Sequence, residues 1–253
     1  MLSHKSLFFL KIFLLIPVFF LVGCLSMMGI DFMKKRPMEY LDQLNSIDHL
    51  KEFNFKDLPL SSNLDEIKIT TVKKMSLNIA PPFAIFDNRK SQYRAFKFSI
   101  PSATNLLDFH IRSLGKQDGF KALGVLIPKA VFFNKKGEVI PHDTLTRGFS
   151  PQFGGVDYLY TLWRISIPQS ETEAYLILYS DNSKIGEFIG QGQEMVFMPS
   201  RIETKNITYK NRNPYVSSNY HFIAIPIGNI QVMYTEAGGK KNLMPKKLWP
   251  LID

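Results

Sequence analysis

Arg94-Ala95-Phe96-Lys97-Phe98-Ser99-Ile100 alternates strictly, with Phe96, Phe98 and Ile100 on one side and Ala95, Lys97 and Ser99 on the other. A period of two belongs to an extended chain, so this stretch predicts a strand with one dry and one wet face. Pro101 stops it, because proline cannot donate to a ladder. After a polar turn, Leu107, Phe109 and Ile111 alternate with Asp108, His110 and Arg112. That predicts a returning strand, again with a wet face.

The unit recurs. Trp163-Arg164-Ile165-Ser166-Ile167-Pro168 leads to Tyr175-Leu176-Ile177-Leu178-Tyr179, and His221-Phe222-Ile223-Ala224-Ile225-Pro226 leads to Ile230-Gln231-Val232-Met233-Tyr234. The prolines stand 67 and then 58 residues apart, too unequal for a solenoid or propeller. Each unit is therefore read as an edge-type hairpin. Ala130 to Ile140 predicts one more hairpin, turning at Asn134 to Gly137. Tyr40, Leu44 and Ile47 fall at i, i+4 and i+7 behind Pro37, which predicts a short helix to about Leu50. Many short strands and almost no helix make the fold class all-β, a β-sandwich or jelly-roll-like domain with one short N-terminal helix. The domain is expected over 38–253. Pro141 to Gly155, rich in Gly, Pro and Ser, is expected to be a loop. It either joins two sheets or divides two half-domains near 141–155. A second irregular stretch is expected from about Asp181 to Asn219.

Ahead of the domain stands an apolar leader. Lys5 and Lys11 give it a basic start, and Ile12 to Val22 an apolar core. Leu21-Val22-Gly23-Cys24 resembles the lipobox of bacterial lipoproteins and holds the only cysteine of the chain. The resemblance implies cleavage between Gly23 and Cys24, a diacylglycerol on the Cys24 sulfur and a fatty acid such as palmitate on its new amino group. Leu7 to Val22 is 16 residues long and contains Lys11 and Pro17, whereas a bilayer span takes about 20. Residues 1–23 are thus expected to be a signal peptide and 24–37 a tether ending in Lys34-Lys35-Arg36. Leu25, in place of the Asp that favours inner-membrane retention, points to the outer membrane.

Loss of the leader takes the net charge from +9 to +7. In an exported protein, such a basic balance fits anionic lipid head groups or an acidic envelope polymer better than nucleic acid. Once Cys24 is lipidated no thiol remains for a disulfide, thiol catalysis or a cysteine metal site.

The search for chemistry yields little. Gly148-Phe149-Ser150-Pro151-Gln152 begins like a nucleophile elbow but lacks the closing glycine, and Pro151 opposes the helix that must follow. His49, His110, His142 and His221 show no metal-ligand spacing. Gly186, Gly190 and Gly192 fit neither a Rossmann nor a Walker A pattern. No local motif pairs two carboxylates for glycoside hydrolysis. Catalytic residues, metals and cofactors are therefore expected to be none.

Aromatic side chains are the remaining signal. Tyr158, Tyr160, Tyr175, Tyr179 and Trp249 are candidates for stacking on sugar rings, and Tyr175 and Tyr179 fit core or edge positions with wet hydroxyls as well. The tail from Lys240 to Trp249 mixes lysines with apolar residues, as a membrane-surface segment or a terminus packed on the domain would.

Several segments together resemble the maltose operon periplasmic protein (MalM-type) family. They are Tyr40 to Leu44, Tyr93 to Pro101 with Leu106 to Ile111, Ile127 to Asn134, Trp163 to Pro168 with Tyr175 to Tyr179, and Ile230 to Tyr234. The resemblance implies an envelope protein linked to maltodextrin uptake, with no established enzymatic activity and no catalytic residues to carry over. The expected function is thus a lipid-anchored, non-enzymatic binding or accessory module of the bacterial envelope, facing the periplasm or the surface. Its partners would be the membrane through Cys24, and a glycan or an envelope protein complex. The alternatives are an envelope glycan hydrolase and a structural surface lipoprotein.

Overall fold

A computed structural model describes residues 38–239, apart from 59–63, 79, 81, 102–103, 118–121, 151–157, 169 and 196–216. The chain is helical over 38–45. Leu44 is buried there, and Lys90 Nζ caps the end by donating to the Asn45 and Ile47 carbonyls. A single 3₁₀ turn follows at Phe55–Asp57.

The first strands are β1 (Asp65–Ile67), β2 (Lys73–Leu77), β3 (Phe83–Phe86), β4 (Arg89–Ser99) and β5 (Leu106–Leu114). Next come β6 (Lys116–Gln117), β7 (Ala122–Leu126), β8 (Pro128–Asn134), β9 (Val139–Ile140) and β10 (His142–Ser150). The last are β11 (Tyr158–Ser166), β12 (Glu173–Ser180), β13 (Phe188–Met195), β14 (Ser217–Ile225) and β15 (Gly228–Glu236). They form three sheets. A six-stranded sheet has the order β1-β4-β12-β8-β9 with β3 also on β4, and a five-stranded sheet has the order β10-β11-β5-β15-β2. A four-stranded sheet follows β13-β14-β7-β6.

The fold is all-β, as the alternating patterns predict. Phe96, Phe98, Phe132, Leu176 and Leu178 of the six-stranded sheet meet Phe109, Ile111, Trp163, Ile165, Val232 and Tyr234 of the five-stranded one. These two inner faces make a sandwich core, and each large side chain contributes on the order of 1.5–3 kcal/mol by leaving water. Phe109 is the hub, with its ring centroid 4.8 Å from Phe132, 4.9 Å from Phe98 and 5.3 Å from Tyr234.

The three proline-ended units are not hairpins. β4 lies in the six-stranded sheet and β5 in the five-stranded one; β11 and β12 divide the same way, and β14 and β15 also belong to different sheets. Each unit is an arch from one sheet to another. The six residues 100–105 can reach about 20 Å, ample to cross a gap of about 10 Å between packed sheets. β4 pairs with β12 from Ser99↔Glu173 to Tyr93↔Tyr179, while β5 pairs with β11 from Leu106↔Ser166 to Leu114↔Tyr158. The two arches thus form one antiparallel ribbon folded over the core, a jelly-roll-like arrangement.

The expected loop at 141–155 is also corrected: His142–Ser150 is β10, the edge strand beside β11. A register shift between Thr144 and Thr146 leaves Leu145 bulged and exposed. This strand belongs to the five-stranded sheet of the sandwich. The hairpin at Asn134 to Gly137 forms as predicted. Asn134 Oδ1 accepts from the Lys136 and Glu138 amides, both at 2.9 Å. Gly137 takes φ +81°, and a Cβ there would lie 2.5 Å from the Phe55 ring.

Aromatic residues also cover the back of the six-stranded sheet. Phe53, Phe55 and Phe86 pack on Tyr93, Tyr175 and Tyr179 there. The smaller sheet meets the end of the sandwich where Phe149 stacks on Phe222 at 3.9 Å.

Candidate functional site

The outer face of the five-stranded sheet carries a polar strip. Alternation puts Asp108, His110 and Arg112 of β5 on this face, since Phe109 and Ile111 point into the core. Register brings Tyr158, Tyr160 and Arg164 of β11 beside them, with Met233 and Thr235 of β15 on the other flank.

The strip is paired from end to end. Asp108 directly opposes Arg164, whose Nε donates to Oδ1 at 2.7 Å and whose Nη2 donates to Oδ2 at 3.0 Å. The Gly238 amide adds a longer bond of 3.4 Å to Oδ2. Burial pushes the Asp108 pKa up, but the Arg164 hydrogen bonds and charge outweigh it and hold the carboxyl below its ordinary value. Tyr160 Oη lies 2.7 Å from His110 Nδ1, and His110 Nε2 lies 3.5 Å from Thr235 Oγ1. Burial, the largest influence, pushes the Tyr160 phenol well above its ordinary range, so it keeps its proton. Which of the two donates across the Tyr160–His110 contact is set by the imidazole tautomer. The Arg112 guanidinium sits 4.6 Å over the Tyr158 ring, within cation–π range.

The stacking candidates Tyr158 and Tyr160 meet here. Tyr158 and Tyr160 are 2 % and 0 % exposed, however, so neither offers a ring face to a sugar arriving from water. Asp108 and His110, expected on a wet face, are each 0 % exposed. Cross-strand partners satisfy these groups, which lets the face stay polar while buried. Trp249, Gly23 and Cys24 lie outside the described residues. Tyr175 and Tyr179 are buried, with hydroxyls donating to Glu173 Oε1 at 2.7 Å and Asp87 Oδ2 at 3.2 Å. Burial, then the Glu173 bond, pushes the Tyr175 phenol up to about 12.

Sequence reading missed Asp108, His110, Arg112 and Arg164 as one group. Their alternation was visible, but the pairing of β5 with β11 was not. Ser150 ends strand β10 and is buried, unlike an exposed nucleophile on a strand-to-helix elbow. Among the described residues no cluster of His, Cys, Asp or Glu could hold a metal ion. Asp87 and Asp181 both approach Lys129, at 3.0 and 3.7 Å. Burial raises the Asp181 pKa, but the Ser183 hydrogen bonds and the Lys129 charge more than offset it and hold that carboxyl low. Glycoside hydrolysis pairs an ionised carboxylate of this kind with a second carboxyl kept protonated.

Beside the strip, at the β2 edge of the same sheet, lies an open groove of about 350 Å³. Lys74, Ser76, Asn229 and Gln231 line it with polar ends and Leu114 with an apolar one, while Met75 and Ile230 between them turn toward the core. Ser76 Oγ donates to Asn229 Oδ1 at 2.6 Å, which fixes the amide. Its NH₂ group and the Gln231 amide are donors and acceptors of the kind that match hydroxyl groups.

Fold and site together define an all-β sandwich with a buried polar strip and an amide-lined edge groove. No protein-family model, curated protein or solved structure matches the chain.

Proposed function

We propose that this chain is a lipid-anchored accessory protein of the bacterial envelope, a non-enzymatic module that binds carbohydrate for an uptake system of the maltodextrin kind. The observation that carries the anchor is Leu21-Val22-Gly23-Cys24, which ends an apolar leader with the sole cysteine of the chain. Three acyl chains on Cys24 would hold the protein firmly, since each buried CH₂ contributes about 0.8 kcal/mol. A tether over 24–37, with its Lys34-Lys35-Arg36 run, would keep the sandwich near an anionic surface. The outer membrane is the proposed address.

The amide-lined groove supports the carbohydrate reading. Asn229 and Gln231 offer paired donors and acceptors to sugar hydroxyls, with Leu114 as the apolar neighbour. The buried Tyr158 and Tyr160 play no stacking part in it; Trp249 keeps that role in the proposal.

Two measurements test the reading. Metabolic labelling with a fatty acid should mark the full chain and vanish in Cys24→Ser; labelling that persists in the variant contradicts the anchor. On a glycan array, the full chain in detergent should retain linear glucans, and Asn229→Ala/Gln231→Ala should weaken retention about tenfold or more. That is the scale of two lost hydrogen bonds. No glycan signal from the intact chain would overturn the carbohydrate part.

A further inference from the structure

The back of the six-stranded sheet is sealed by a layer that includes Phe53, Phe55 and Phe86. The outer face of the five-stranded sheet is sealed as tightly. Asp108, His110, Tyr160, Leu162, Met233 and Thr235 are each 3 % exposed or less. Yet among the described residues no second layer packs on this face: Tyr158, Tyr160 and Leu162 cluster only with one another and with Leu114 of the same face. Side chains stand roughly perpendicular to a sheet, so cross-strand neighbours cover their flanks and not their ends. A phenol such as Tyr160 is fully buried only beneath something that lies across the sheet.

The chain itself leads onto this face. Strand β15 ends at Glu236, and the Gly239 amide donates to the Glu236 carbonyl at 2.9 Å in a tight turn. Gly238 takes φ +80° there, and its amide donates to Asp108 Oδ2 at 3.4 Å. Asp108 lies on the outer face, so the turn delivers the chain over it. Residues 240–253 continue from this point and carry Leu243, Met244, Leu248, Trp249, Leu251 and Ile252. Extended, these residues reach about 46 Å, whereas the face measures about 20 Å along β5 from Asp108 to Leu114. The other long stretches outside the described residues, 1–37 and 196–216, join elsewhere. They connect at Met38, beside Gly186, and at the Met195–Ser217 end of the four-stranded sheet.

We propose that the outer face of the five-stranded sheet is the docking surface of the C-terminal segment, residues 240–253, which lies across it as a cover. Its apolar side chains rest on Tyr160, Leu162 and Met233, and its lysines keep their charged ends in water. Four lysines among six large apolar residues suit a segment with one dry and one wet side. Trp249 stands ten residues beyond Gly239, a span of up to about 33 Å, so it comes within reach of the edge groove beside Leu114. The cover depends on neither the lipid anchor nor the carbohydrate reading.

Two experiments test the cover. Leu162→Cys places a thiol beneath it, and labelling of the folded full chain in detergent with a water-soluble maleimide reads access to that thiol. The parent chain corrects for Cys24. Labelling should be slow, and removal of residues 240–253 should speed it about tenfold or more, because local opening is no longer needed. Equal rates with and without the segment would overturn the proposal. The second experiment needs no deletion and decides the matter should the shortened chain fail to fold. A photoreactive benzoylphenylalanine replaces Leu243 in the full chain, which is irradiated in nanodiscs of phosphatidylcholine and phosphatidylglycerol. Cross-links to residues of β5, β11 or β15 support the cover. Cross-links to lipid alone would place the segment in the membrane, and these, or no cross-link to the sheet at all, would overturn it.

Discussion

Arg164 and Arg147 stand on neighbouring strands of one sheet and meet opposite fates. Arg164 faces outward, is 34 % exposed and holds the buried Asp108 in a bidentate pair. Arg147 faces the interior, and the same two nitrogens are sealed with no acceptor. The difference shows that burial alone does not define a functional group. On the outer face, polarity is matched across strands and each charge is answered; on the inner face, two N–H groups of one guanidinium are not. An arrangement of the first kind holds a fold, and one of the second kind costs it stability.

The largest effect is expected from breaking the answered pair. Arg164→Ala leaves the Asp108 carboxylate buried without its cation, and should cost about 3 kcal/mol in equilibrium unfolding. That is the low end for a broken buried pair, because Arg164 is partly solvated already. The pH dependence should change with it. In the wild type the folded pKa of Asp108 is below its usual 3.8, so its contribution is full above that value and is lost as pH falls through the folded pKa. Without Arg164, burial governs and the pKa rises. The deficit of the variant should then be relieved in acid, below the unfolded pKa, and reappear as pH rises through the folded one. Unfolding curves between pH 3 and 7 would register the two opposite slopes.

Much of the fold was legible, because apolar alternation is a local property. Phe96 and Phe98, Trp163 and Ile165, and Leu176 and Leu178 all point into the core as their spacing demands. The turn at Asn134 to Gly137 was legible for the same reason, since its bonds span at most four residues. What lay beyond the sequence was the choice of partner strand. Pro101 and Pro168 mark where strands stop, but either a hairpin or an arch can follow a stop. The choice between them is made by ladders such as Ser99↔Glu173. The segment at 142–150 shows the converse, where β11 recruits turn-rich sequence as an edge strand and a bulge absorbs the irregularity. The site was less legible still. Asp108 and Arg164 are 56 residues apart, and nothing near either one signals the other.

The contrast between the two arginines is tested most directly by equilibrium unfolding of Arg147→Met in buffer free of oxyanions. Methionine removes the unanswered charge while keeping the apolar stem in place. The variant should be more stable than wild type by about 1–2 kcal/mol. A loss of similar size would mean that Arg147 is already satisfied within the fold, and would contradict the contrast between the two arginines.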